Sequence, residues 1–130
     1  MKILAVDDSS TIRDLVSQTL YASGYNDFET AEDGIDALER IEASEEEFDF
    51  FIVDINMPRM DGFELIQRIR DKFDYMSTPI MVLTTERSNE MKRKGREAGA
   101  TSWIVKPFDQ EKFTKGIELT LEYVQRHETF

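Results

Sequence analysis

Five short apolar runs, each followed by a segment of helical periodicity, constrain this chain more than any other feature. The runs are Ile3–Val6, a weaker Phe28–Ala31, Phe50–Val53, Ile80–Thr84 and Ser102–Val105. Such runs, bounded by turn formers, predict short buried strands. After the first run, Ile12, Leu15, Val16 and Leu20 recur at spacings of three and four. Ser9 or Ser10 can cap that helix and Gly24 can end it. Ile35, Leu38 and Ile41 predict a second helix, and Phe63, Ile66, Ile69 and Phe73 a third that starts near Asp61. Residues 88–98 predict a fourth, closed by Gly99. It is polar almost all round, with only Met91 and Ala98 as inward anchors. Phe113, Ile117, Leu121 and Val124 predict a fifth.

A β-α unit repeated five times predicts a parallel sheet with helices on both faces and right-handed crossovers. A closed barrel would take eight units and about 250 residues, and the chain has 130. The expected fold is therefore α/β, an open doubly wound (βα)5 sheet of five parallel strands. Ligands of such sheets bind beyond the carboxyl ends of the strands, where strand order reverses.

The residues just past the strands thus matter most. Asp7 and Asp8 follow the first strand, Asp54 the third, Thr84 ends the fourth, and Lys106-Pro107 follow the fifth. In a parallel sheet they share one edge. Carboxylates ~4 Å apart at an effective dielectric near 20 repel by about 4 kcal/mol per pair. Protonation relieves this, and so does a divalent cation. An Asp-Asp pair after a strand is also a common helix cap, so the pair alone decides nothing. There is no cysteine and the one histidine is His127, so hard oxygen ligands point to Mg²⁺. Carboxylates, a hydroxyl and an ammonium around such an ion are equipment for phosphoryl transfer, with Asp54 as acceptor of an acyl phosphate.

Composition narrows the partners. Without cysteines there are no disulfides, which suits a reducing cytosol. The opening MKILAVDD is too short an apolar run for a signal peptide or a membrane span, so a soluble cytoplasmic protein without membrane insertion is expected. Sixteen Lys and Arg face 27 Asp and Glu, a net charge of −11, and nucleic acid is a poor partner for such a chain. The cations cluster, however: Arg87, Lys92, Arg93, Lys94 and Arg96 fall within ten residues. They form either a solvated helix face or a docking patch for an acidic partner.

The segments AVDDSSTIR, FFIVDINMPRMDG, VLTT and GATSWIVKPF, in this order, resemble the receiver domains of two-component response regulators. The resemblance spans essentially the whole chain. It implies a flavodoxin-like strand order 2-1-3-4-5. Since the chain stops after the fifth helix, residues 1–130 are expected to be one receiver domain with no output domain, of the stand-alone chemotaxis CheY type. It further implies that Asp54 is the phosphoacceptor, and that Mg²⁺ is held by Asp7, Asp8, Asp54 and the backbone carbonyl of Asn56. Thr84 is then the switch hydroxyl and Lys106 the lysine that contacts the phosphoryl oxygens, with a cis bond to Pro107. Asn56 and Glu86 match the positions that tune dephosphorylation. The implied partners are a sensor histidine kinase of chemotaxis type, a flagellar switch protein or other target peptide, and a phosphatase. The chain itself is expected to be a monomer.

The implied output surface is the basic helix at 87–98 with Lys92, Arg93, Lys94 and Arg96, then Trp103 and Lys106, and the start of the last helix. Trp103 departs from the family's usual Tyr or Phe at that position. Its ring either moves with Thr84 or simply packs on the strand edge. Gly95, in mid-helix, costs about 1 kcal/mol relative to Ala; either it lets a partner approach closely or it has no role. Competing readings keep the fold: a phosphorelay intermediate or phosphate sink, a Mg²⁺-dependent aspartyl-phosphate phosphatase, a flavin carrier, or a degenerate scaffold. The phosphatase class needs a second acid where this chain has Asn56, and Asp7-Asp8 would repel a flavin phosphate.

Overall fold

The computed structural model describes residues 1–128. Its strands β1 (Ile3–Val6), β2 (Phe28–Ala31), β3 (Phe50–Val53), β4 (Ile80–Thr84) and β5 (Ser102–Val105) form one parallel sheet in the order β2-β1-β3-β4-β5. Helices α1 (Ser10–Ala22), α2 (Gly34–Ala43), α3 (Gly62–Arg70), α4 (Asn89–Ala98) and α5 (Gln110–Glu128) alternate with them. This is the flavodoxin-like doubly wound fold. Strand order reverses between β1 and β3, and Val6 pairs with Val53. The next residues, Asp7 and Asp54, therefore emerge side by side.

Strand alternation divides the core into two layers. Leu4, Val6, Phe51, Val53, Ile80 and Val82 face α2, α3 and α4. Ile3, Ala5, Phe50, Ile52, Met81 and Leu83 face α1 and α5. Helix starts follow from their caps. Ser9, Asp33, Asp61 and Ser88 each accept a backbone N–H three residues on, a bond whose loss typically costs about 1 kcal/mol. Gly99, at φ 116°, ends α4 in the left-handed region. Among the described residues no helix is long and apolar enough to cross a membrane.

Two expected core positions are corrected. Leu15 is 42% exposed, and Val16, Thr19 and Leu20 carry the buried face of α1. Phe73 is 86% exposed, because α3 ends at Arg70 and Phe73–Tyr75 form a 3-10 turn. Tyr75 is buried in its place, edge-on to Phe51 at 5.2 Å between ring centroids. The turn is held by Arg70, whose Nη1 donates to the Tyr75 and Thr78 carbonyls at 2.8 and 2.6 Å while Nε donates to Gly99 O at 2.9 Å. Leu65, absent from the predicted stripe, is fully buried beside Ile66 and Ile69.

Candidate functional site

The strand ends deliver an acidic cluster to the switch point. Asp7, Asp8 and Asp54 each offer a carboxylate oxygen, and these oxygens lie within 4.8 Å of one another. Asp7 and Asp54 are buried and Asp8 is exposed. Asp7 is fixed by the Ser9 N–H, which donates to Oδ1 at 3.0 Å, and by Arg13, which holds its carbonyl at 2.8 Å. Asp54 accepts from its neighbour's N–H, Ile55 N to Oδ1, at 2.7 Å. Lys106 enters from β5, its Nζ 2.7 Å from Asp7 Oδ2 and 3.3 Å from Asp54 Oδ2. Its peptide bond to Pro107 is cis.

Electrostatics distinguish the groups. Burial, and then the charge of Asp7, push the Asp54 carboxyl above its ordinary value, against the opposing pull of Lys106. For Lys106, burial favours the neutral amine, but the hydrogen bond to Asp7 and the charges of Asp54 and Asp7 outweigh it and raise the pKa. The lysine is therefore a firm cation wedged between two acids, and one of those acids holds its charge reluctantly.

The mouth of the cluster is built by two loops. Thr84, fully buried at the end of β4, accepts the Glu86 N–H at 3.4 Å. Asn56 Nδ2 donates to Glu86 Oε1 at 2.9 Å, and Trp103 Nε1 donates to Glu86 O at 2.9 Å. Glu86 thus joins the loops after β3 and β4 to strand β5. Behind Asp54, Gly62 packs so closely that a Cβ there would overlap the Asp54 carbonyl oxygen and sit 2.7 Å from Ile55 Cα. Sequence reading paired Asn56 with Glu86 by role but did not foresee their hydrogen bond, nor the bond from Trp103 to Glu86. It also missed Gly62, though the Asp61-Gly62 pair is its signal.

The family model of the response regulator receiver domain matches residues 3–118. The chain belongs to this family. The receiver is 36% identical over 121 residues to the chemotaxis protein CheY1 of Helicobacter pylori, covering 93% of this chain and 97% of that protein. It superposes on the structure of the chemotaxis response regulator CheY4 of Vibrio cholerae with a TM-score of 0.85 at 47% identity, covering 92% and 97% of the two chains. A complex of CheX with CheY, BeF3 and Mg²⁺ from Borrelia burgdorferi matches with a TM-score of 0.86 at 26% identity, over 93% and 89%.

The expected partner surface divides on the receiver. Lys92, Arg96 and Trp103 line a groove of about 190 Å³ between α4 and β5. Lys94 lies instead over the Phe63 ring of α3, 4.9 Å from its centroid. Arg93 points to Glu97 at 3.9 Å along α4, and Lys106 is turned into the acidic cluster.

Proposed function

We propose that this receiver accepts a phosphoryl group on Asp54 and relays the change to the face made by α4, β5 and α5, in chemotaxis signalling. The observation that carries the reading is a buried, reluctantly ionised carboxylate flanked by two further acids and a lysine at the switch point of the sheet. The chemotaxis assignment rests on the likeness to chemotaxis proteins of other bacteria.

The donor set fits Mg²⁺. It is all oxygen, from Asp7, Asp8 and Asp54, and the Asn56 backbone carbonyl is the further ligand that the family resemblance implies. Mg²⁺, when bound, draws negative charge off the phosphoryl oxygens and off Asp54. The Borrelia burgdorferi complex of CheX and CheY contains BeF3 and Mg²⁺.

The chain's own groups do the rest. An Asp54 Oδ attacks the phosphorus of a phosphohistidine on a sensor kinase of chemotaxis type. The P–O bond forms as the P–N bond breaks, and the departing imidazole keeps that electron pair and takes a proton from solvent. Lys106 neutralises charge on the transferred oxygens as a compact cation. The Thr84 hydroxyl donates to one of them. Asn56 and Glu86, at the mouth, govern the access of water and so the lifetime of the acyl phosphate. The chain acts on itself and turns over no separate substrate. A flagellar switch segment or similar acidic peptide would be read at Lys92, Arg96 and Trp103, and a phosphatase would approach the same mouth.

Intact mass after incubation with Mg²⁺ and acetyl phosphate tests the reading. One phosphoryl increment is expected, dependent on Mg²⁺ and absent from Asp54→Asn. Equal labelling of the variant would refute the assignment.

A further inference from the structure

Gly95 stands in the middle of α4, where glycine is the costliest ordinary residue for a helix. Met91 is only partly buried against the core, and Lys94 covers Phe63 from outside. Only Gly95 and Ala98 are buried in the helix. A Cβ on Gly95 would meet the Trp103 ring, 2.6 Å from Cζ3 and 3.0 Å from Cε3. The benzene edge of the indole therefore occupies the space that any other side chain would fill. The other edge of the ring is fixed as well, since Nε1 donates to the Glu86 carbonyl at 2.9 Å. A Trp ring half-buried in this way satisfies both its apolar body and its N–H.

We infer that Gly95 is a positioning residue: its missing side chain seats the Trp103 indole between α4 and the loop after β4, and the seated indole holds Glu86 in reach of Asn56. Two contacts define the path. Gly95 meets the ring, and Glu86 meets both the ring and Asn56, at 2.9 Å on each side. A smaller aromatic would leave the seat partly empty, and a larger residue at 95 would evict the indole. Bulk and void are matched between α4 and the strand that directly follows it. The last step, from Glu86 to the mouth of the Asp54 site, rests on the receiver reading above.

Trp103 is the only tryptophan, so its emission reports the seat directly. In Gly95→Ala the emission should move to longer wavelength and acrylamide should quench it at least about twofold more readily, as the ring leaves its apolar wall. The thermal midpoint should fall, although alanine is the better helix former. Adding Trp103→Phe, which shortens the ring, should restore the midpoint toward that of Trp103→Phe alone. Unchanged emission, a midpoint raised by helix propensity, or a double variant no better than Gly95→Ala would each overturn the seat. Should Gly95→Ala fail to fold, folding of the double variant supports the seat and its failure rejects it. With acetyl phosphate and Mg²⁺, the phosphoryl group on Gly95→Ala should decay at least about threefold faster, the effect of losing roughly one hydrogen bond at the mouth. An unchanged decay would overturn the link to Glu86. A parent chain that takes up no phosphoryl group would refute the phosphoacceptor reading and leave the emission and rescue results to judge the seat.

Discussion

The side-chain amide of Asn56 donates to Glu86 Oε1 at 2.9 Å, closing the loop after β3 against the loop after β4 across the entrance to Asp54. The two residues are thirty positions apart and neither belongs to a strand or a helix. Each stands two residues beyond a strand-end group, Asp54 or Thr84, and parallel strands bring the two loops together. On the function proposed above, this bridge would control the access of water to an acyl phosphate on Asp54.

Glu86→Ala removes the acceptor and leaves Asn56 free. A hydrogen bond of this kind contributes about 1 kcal/mol, or roughly a fivefold change in rate. The phosphoryl group should therefore decay several-fold faster, with uptake little affected because Asp7, Asp54 and Lys106 are untouched. Decay followed by intact mass after removal of acetyl phosphate measures it. Equal lifetimes in variant and parent would show that the bridge does not control access.

Gly62→Ala should damage the fold and the site together. The added Cβ overlaps the Asp54 carbonyl oxygen, which is backbone and cannot swing aside. Gly62 N also donates to Ile55 O at 2.8 Å, so α3 cannot simply retreat. Overpacking of this kind costs about 1–3 kcal/mol. Urea unfolding should register that loss, and phosphoryl uptake by the folded fraction should slow because Asp54 is displaced. Parent-like stability and uptake would mean the close approach relaxes without consequence.

Asp33 carries a pH dependence of known sign. Burial alone would raise its pKa, but the Asp36 N–H and the Arg59 guanidinium outweigh burial and hold it below the ordinary carboxylate value. Arg59 grips it with two bonds of 2.8 Å, Nε to Oδ2 and Nη2 to Oδ1. A depressed folded pKa means the contribution is complete above the unfolded pKa and disappears as pH falls through the folded one. Asp33→Asn should thus lower the thermal midpoint at pH 6, and the gap from the parent should narrow below about pH 4. Loss of a charged cap typically costs about 0.5–2 kcal/mol. A gap that stays constant down to pH 3 would exclude the ionised pair as its source. Arg59 itself sits at φ 67° in the left-handed region, so the pair also holds a strained turn in the loop that carries Asn56.

Asp54→Asn should raise the thermal midpoint in EDTA at neutral pH. Burial and the charge of Asp7 raise the Asp54 pKa, so the fold disfavours the ionised form and loses stability as pH rises through that pKa. A neutral isostere escapes the penalty. Mg²⁺ should reverse the ranking, because it stabilises the parent through three carboxylates and the variant through two. Scanning calorimetry with and without Mg²⁺ decides. A variant less stable than the parent in EDTA would show that the Lys106 contact outweighs the burial of Asp54.

The central strands β1, β3 and β4 were legible in the sequence because a parallel strand covered on both faces is a continuous apolar run, while the edge strands β2 and β5, only partly buried, left weaker runs. The acids, Thr84 and Lys106 were legible because the edge of such a sheet collects whatever follows its strands. What escaped depends on direction in three dimensions. Leu15 and Phe73 fit a periodic stripe, but a stripe does not say how wide the buried face is or where Arg70 will end the helix. Gly95 read as a place for a partner to approach, or as nothing, and the space proves to be filled by the Trp103 ring of the same chain. The basic cluster of α4 looked like one patch because sequence does not assign its members to helix faces.

That division of the cluster makes the last prediction. Lys92 and Arg96 are a turn apart and flank Trp103 along the groove, while Lys94 covers Phe63 on the α3 side. An acidic peptide in the groove therefore meets the first two and not the third. Lys92→Ala with Arg96→Ala should weaken binding of an acidic target peptide by the phosphorylated receiver by about tenfold, two exposed charge pairs of up to about 1 kcal/mol each. The loss should shrink as salt rises, since solvent-exposed ion pairs are weakened by salt. Lys94→Ala should leave peptide affinity within about twofold and lower stability slightly, as an exposed cation–π contact contributes about 0.5–1 kcal/mol. Fluorescence anisotropy of a labelled peptide at two salt concentrations separates the cases. Equal losses from Lys94→Ala and from the Lys92, Arg96 pair would mean the target lies across the whole helix rather than in the groove.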